Sequence, residues 1–163
     1  GHGGVGLAVL SNELIKSTPL MPGWMGARNP FDISHQELDL AEGAKRFTQS
    51  TMSYISLKGL EVSIQEILKI GVDNIDNHAQ RLKRYFLSHL NKSNFQTFHQ
   101  KNIPTSSHIV SIFDPKKNIS RVAKLLSKNN IFCSIRNGYL RVSFAHYNNQ
   151  SDIDKLLSIL KED

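Results

Sequence analysis

Two short apolar stretches, residues 131–135 and 139–144, are separated only by Arg136-Asn137-Gly138. Asn-Gly is the strongest short-range hairpin signal, because both central positions of a type I′ turn need positive φ. The two stretches are therefore expected to be antiparallel strands. A two-residue turn also sets the register: Arg136 faces Tyr139, and Arg141 follows two residues along on the same face as Tyr139. The surrounding pattern extends this unit. His108-Ile109-Val110-Ser111-Ile112-Phe113 reads as a further strand, with a shorter one before it at 95–98. Asp114-Pro115 opens a helix with Ile119, Val122, Ala123 and Leu126 on one side, and a last helix carries Ile153, Leu156, Leu157 and Leu160. Asn149 and Asp152, three apart, form an Asx version of the capping box for that helix. The last third is expected to be an α/β sandwich, a small and mostly antiparallel sheet with helices on it.

The middle of the chain has a helical period instead. Leu57, Leu60, Ile64, Ile67 and Leu68 share one face, and Gly71 stops the run. Asp73 is placed to cap a second helix with the stripe Ile75, Ala79, Leu82, Phe86 and Leu90, which the polar residues 91–94 end. Residues 17–50 are irregular, broken by Pro19, Pro22, Gly23, Gly26 and Pro30, and Trp24 and Phe31 are placed to pin this loop or to cover a site. The opening Gly1-His2-Gly3-Gly4-Val5-Gly6 leads into Leu7-Ala8-Val9-Leu10, which reads as a glycine turn feeding a buried strand. Neither a P-loop nor a dinucleotide fingerprint fits: no Lys-Ser/Thr follows the glycines, and the segment after them reads as a strand rather than the required helix.

At 163 residues the chain is about one domain's worth. With 39% hydrophobic and 21% charged residues it has the composition of a globular protein rather than a disordered one. No apolar run reaches the ~20 residues that span a bilayer. A single cysteine, Cys133, excludes an intrachain disulfide and agrees with a cytoplasmic setting. The net charge of +6 is scattered, its densest group being Arg81, Lys83 and Arg84 on one helix. That pattern suits a solvated surface better than a nucleic-acid footprint.

Few residues suggest chemistry by themselves. His2, His35, His78, His89, His99, His108 and His146 never stand at i,i+3 or i,i+4 spacing, so no metal site is expected. No Gly-x-Ser-x-Gly elbow is present. Cys133 reads as a packed strand residue rather than a nucleophile. Arg136 and Arg141 at the hairpin suit recognition of a carboxylate, whose geometry the planar guanidinium matches with two hydrogen bonds. The alternative is ordinary surface arginine.

The stretch Ile131-Phe132-Cys133-Ser134-Ile135-Arg136-Asn137-Gly138-Tyr139-Leu140-Arg141-Val142-Ser143-Phe144-Ala145-His146-Tyr147-Asn148, followed by Asp152-Ile153-Asp154, resembles the C-terminal signature of class V aminotransferases. These are pyridoxal-phosphate enzymes of fold type I, among them cysteine desulfurases, selenocysteine lyases and isopenicillin-N-epimerase-like proteins. Arg46-Phe47-Thr48-Gln49-Ser50-Thr51 resembles the family's Arg-Phe-Glu-x-Gly-Thr, and Pro22-Gly23-Trp24-Met25-Gly26 a loop of the epimerase-like branch. Gly59, Leu60, Gly71, Ile75 and Leu82 fit its two helices, and the opening glycines fit the turn and strand after the Schiff-base lysine.

The resemblance implies a fold and a division of the chain. Residues 1–51 would be the end of the large cofactor domain with a covering loop, 52–92 two long connecting helices, and 93–163 the small C-terminal domain. It implies pyridoxal 5′-phosphate as cofactor and an amino-acid substrate, with transamination, racemisation or elimination at Cα. The Schiff-base lysine would precede Gly1, so the chain is expected to be a C-terminal half that is inactive alone and joins its own N-terminal half. Arg141 matches the arginine that binds the substrate α-carboxylate. Thr51 matches the threonine that reaches the cofactor phosphate of a neighbouring subunit, which implies a homodimer. Ser50 stands where the family has glycine. Arg136 and Asn148 match motif positions and are assigned to structural support of the site. Two other readings compete: a stand-alone basic α/β module binding RNA or an acidic protein, and a cysteine desulfurase or selenocysteine lyase. Against the latter, the persulfide cysteine of desulfurases lies on a loop between the positions of Arg136 and Arg141, where this chain has only Asn137-Gly138-Tyr139-Leu140.

Overall fold

The computed structural model of the chain describes residues 3–34, 37, 39–90, 94–98 and 107–162. The chain divides into two compact units, Gly1–Glu66 and Ile67–Asp163, where its length predicts about one domain.

The first unit is mostly irregular, as its prolines and glycines predict. The short helix α1, Asn12–Lys16, is capped by Ser11, whose Oγ accepts from the Leu14 amide at 3.2 Å. Two 3₁₀ turns follow, Trp24–Gly26 and Gly43–Phe47, with one isolated bridge between Ala27 and Leu40. Trp24 and Phe31 are exposed and pack edge-on against each other, so they brace the loop rather than anchor it in a core. The buried strand expected at 7–10 is not formed. Leu7 and Val9 are 69% and 92% exposed, and among the described residues nothing pairs with this segment. A strand exists only through the ladder of a neighbour, which local hydrophobicity cannot supply. The unit passes into helix α2, Tyr54–Ile70. Of its predicted apolar stripe, Leu57, Leu60 and Ile64 are half-buried, whereas Ile67 and Leu68 are exposed.

Gly71 ends α2 at φ +88°, a conformation that costs a side-chain-bearing residue, and its carbonyl accepts from Ile75 at 3.1 Å. Helix α3, Val72–Leu90, starts at once; Asp73 lies in its first turn instead of capping it. The sheet of the second unit contains β1, Gln96–Thr97, β2, Ile109–Phe113, β3, Ser134–Arg136, and β4, Tyr139–Ser143, in the order β1-β2-β4-β3, all antiparallel. Asn137 and Gly138 both have positive φ, and Arg136 pairs with Tyr139 as the Asn-Gly turn requires. Helices α4, Ile119–Lys128, and α5, Gln150–Glu162, complete the unit. Asn118 caps α4 through its side chain, and the capping box of α5 forms reciprocally.

One face of the sheet meets the three helices. Phe86, Leu90, Ile112, Val122, Leu126, Leu140 and Leu160 are fully buried there, each worth about 1.5–3 kcal/mol of transfer free energy. Lys83, expected on the solvated surface, is only 7% exposed and donates from Nζ to the Ser107 carbonyl at 2.8 Å. The strand expected over 131–135 starts only at Ser134. Asn130 takes φ +59° after α4, and the Ile131 amide is committed to Leu126 O at 2.9 Å, closing a Schellman-type end rather than a ladder. Of the expected turn at 91–94, residues 91–93 lie outside the described residues. Among the described residues, no helix is long and apolar enough to cross a membrane.

Candidate functional site

The residues singled out in the sequence fall into two groups. Thr51 and Ser50 belong to the first unit; Arg136, Arg141 and Asn148 belong to the second.

Arg141 occupies the middle of β4. Ser111 of β2 and Ser134 of β3 stand opposite it, so its row on the sheet reads small–long–small. The alternation of β4 turns Leu140 and Val142 into the core and places Tyr139, Arg141 and Ser143 on the other face. Arg141 is half-buried, Arg136 is exposed, and neither guanidinium has a hydrogen-bond or ion-pair partner among the described residues. The arginines of the first unit differ. Arg28 pairs with Asp39 and Glu42, which raises its pKa through the Asp39 hydrogen bond first; Arg46 donates to the carbonyls of Ala41, Lys16 and Ser17. Beside Arg141, the Tyr139 ring packs against Phe98 at 5.0 Å and Phe113 at 5.2 Å.

Asn148 holds the turn that carries β4 into α5. Its Oδ1 accepts from the Ala145 amide at 3.0 Å, and its Nδ2 points to Asp152 Oδ2 at 3.4 Å. Its backbone carbonyl lies 2.8 Å from His78 Nε2. A carbonyl only accepts, so His78 carries its proton on Nε2 and presents Nδ1 to the Arg81 guanidinium at 3.5 Å. Nothing in the sequence pattern marks His78 as a brace beyond its place beside the buried Ala79 of α3. His146 is half-buried, its ring edge-on to Tyr147, and it lines a cleft of about 300 Å³ with Asp76 and His108. Of the other histidines, His2, His35 and His99 lie outside the described residues. Among the described residues, no group of three or more His, Cys, Asp or Glu could hold a metal ion.

In the first unit two sequence motifs pack together. A Cβ on Gly23 would collide with the backbone of Gln49, and one on Gly26 would lie 2.6 Å from the Arg46 carbonyl oxygen. Gln49 Nε2 also donates to the Met21 carbonyl. The loop at 22–26 therefore supports the segment 46–49 directly. Ser50 and Thr51 are exposed, and among the described residues their hydroxyls have no hydrogen-bond partner. They stand just before α2, where Ser53 accepts from the Ser56 amide and the buried Ser56 Oγ donates to Gly3 O at 2.9 Å. Two uncommitted hydroxyls ahead of a long helix's N-terminus fit an anionic group such as a phosphate.

Cys133 precedes β3 instead of lying within a strand, half-buried beside a cleft of about 390 Å³ that Val142, Phe144 and Leu156 also line. Burial pushes its thiol up to about 11, so it is protonated near neutral pH.

Residues 1–156 match the family Aminotransferase class-V. A probable cysteine desulfurase of Pyrococcus abyssi (strain GE5 / Orsay) is 24% identical over 99% of this chain and 43% of its own length. Another, of Ureaplasma parvum serovar 3, is 26% identical over 99% of this chain and 42% of its own length. Among solved structures, the apo cysteine desulfurase of Thermococcus onnurineus NA1 superposes with a TM-score of 0.76 at 22% identity, over 93% of this chain and 40% of that one. A cystine C–S lyase in complex with cysteine persulfide gives 0.79 at 18% identity, over 94% and 41%. The chain thus spans about two fifths of the length of the relatives it matches.

Proposed function

Because this chain belongs to the class V aminotransferases, we propose that it is part of a pyridoxal-phosphate enzyme acting at Cα of an amino acid, and that Arg141 holds the substrate α-carboxylate. The observation that carries this reading is the guanidinium itself: half-buried on a strand, flanked by two serines, and without a counter-ion among the described residues. A permanent cation in partly desolvated surroundings attracts a carboxylate more strongly than one in bulk water, and its fork sets the orientation of the bound anion. Held on a strand, Arg141 decides which bond at Cα is presented for reaction. Asn148 and His78 brace the turn that follows. Thr51 and Ser50 supply hydroxyls to the cofactor phosphate, in a homodimer across the subunit boundary. Pyridoxal phosphate, when bound, supplies the electron sink for carbanion chemistry at Cα. The reaction is transamination, racemisation or elimination.

The test uses the full-length protein. Arg141→Ala raises the substrate KM strongly, by the equivalent of about 1.5–3 kcal/mol for a charge-assisted contact, and leaves the cofactor absorbance intact. Unchanged kinetics would remove the carboxylate role.

A second reading, cysteine desulfurase, is supported by the names of the Pyrococcus and Ureaplasma relatives. A sulfur carrier must swing between substrate and acceptor. The tight turn at Asn137-Gly138 contains no cysteine, and Cys133 has a thiol held protonated by burial, so the first reading is favoured.

A further inference from the structure

Arg136 and Arg141 lie diagonally on one face of the β3–β4 hairpin: Arg136 pairs with Tyr139, and Arg141 stands two residues further along β4. Diagonal neighbours of an antiparallel pair are about 7–8 Å apart, well within the reach of two long side chains. The same face carries Phe98, Ser111, Phe113, Ser134, Tyr139 and Ser143. None of these is a carboxylate, and no ion pair neutralises either arginine among the described residues. Two cations held this close repel each other, and a ligand with two anionic groups relieves that repulsion better than a ligand with one. Beside both, opposite Arg136 and two residues before Arg141, Tyr139 belongs to an aromatic cluster with Phe98 and Phe113, an apolar surface suited to a short methylene spacer.

We propose that Arg136 binds the distal carboxylate of a dicarboxylic amino acid whose α-carboxylate is held by Arg141, which makes the substrate class acidic amino acids. The inference rests on the reading of Arg141 above. It also gives Arg136 a contact with substrate, where the family resemblance implies only structural support.

The deciding experiment compares glutarate with pentanoate, two five-carbon acids that differ by one carboxylate, by calorimetry at low ionic strength on the full-length protein loaded with cofactor. Glutarate is expected to bind at least about tenfold more tightly, as one additional charge-assisted contact allows. Arg136→Gln should erase that advantage, and should lower the ratio of kcat/KM for glutamate or aspartate over alanine by a similar factor. Arg141→Gln should weaken both acids. Equal binding of the two acids by the unaltered protein would overturn the proposal. So would an Arg136→Gln protein that loses both acids to the same degree, which would mean a structural role or a single carboxylate shared by both arginines. If Arg136→Gln does not fold, the unaltered protein's preference and Arg136→Lys, which keeps the charge but not the fork, decide the matter. An Arg141→Gln protein that still binds both acids normally would overturn the reading of Arg141, and this proposal with it.

Discussion

His78 of α3 donates from Nε2 to the backbone carbonyl of Asn148, 70 residues away, at 2.8 Å. The bond ties a helix that packs into the core to the turn between β4 and α5, whose side-chain bonds from Asn148 are local and whose first residue, Phe144, donates its amide to the His108 carbonyl at 3.1 Å. One imidazole therefore supplies a long-range side-chain brace of the segment that follows Arg141.

His78→Ala should leave the Asn148 carbonyl without its donor and cost about 1–3 kcal/mol. Chemical denaturation would show this as a lower midpoint with an unchanged m-value. His78→Gln, which can still donate, should recover part of the loss. Equal midpoints for all three proteins would mean that the turn is held by its remaining bonds.

Gly26→Ala tests the packing of the loop at 22–26 on the segment before Thr51. A Cβ at that position would press on the Arg46 carbonyl oxygen at 2.6 Å and on Thr48 O at 2.9 Å, so backbone must move. Overpacking of this kind costs about 1–3 kcal/mol. Gly6→Ala, where a Cβ meets nothing within 4 Å, is the control. Limited proteolysis should cut the region 17–50 of the Gly26→Ala protein faster than the control's. The same cleavage rate in both proteins would show that this loop yields easily.

Cys133 predicts a stability difference with a defined pH window. Its thiol titrates near 9 when exposed and is pushed up to about 11 by burial in the fold. The folded protein thus favours the protonated thiol. Its contribution is complete below pH 9 and is lost as pH rises towards 11, because there the unfolded chain has released a proton that the folded chain retains. Cys133→Ser should flatten the stability profile between those values relative to the unaltered protein. Alkylation of Cys133 by iodoacetamide should be slow at pH 7–8. In the full-length protein, Cys133→Ser should leave activity nearly unchanged. Cysteine-dependent sulfide release that disappears in Cys133→Ser, with cofactor binding retained, would move the protein to the desulfurase reading.

Much of the second unit was legible because its signals are local. Positive φ at Asn137 and Gly138, the reciprocal cap between Asn149 and Asp152, and the helix break at Gly71 each depend on a few adjacent residues. The apolar stripe of α3 and the alternation of β4 likewise follow from helical and strand periods, and the core confirms them. Arg136 and Arg141 were readable as face neighbours for the same reason, since the turn alone sets their register.

Other features depended on what a segment meets at a distance. Leu7-Ala8-Val9-Leu10 has the composition of a strand but no ladder partner among the described residues. Cys133 leaves the strand pattern because the amide of Ile131 caps α4. Lys83 is buried with its ammonium group donating to the Ser107 carbonyl, a partner distant in sequence. The pairing of Gly23 and Gly26 with the segment 46–49, and of His78 with Asn148, joins residues between about 20 and 70 positions apart, which no short-range preference encodes. The hairpin, the helices and the caps are encoded locally, because their energetics are contained within a turn or two of chain. Folding settles which strand candidates pair, which charges are buried, and which arginines lack a partner among the described residues, because hydrogen-bond satisfaction and desolvation depend on the groups that tertiary contacts bring together.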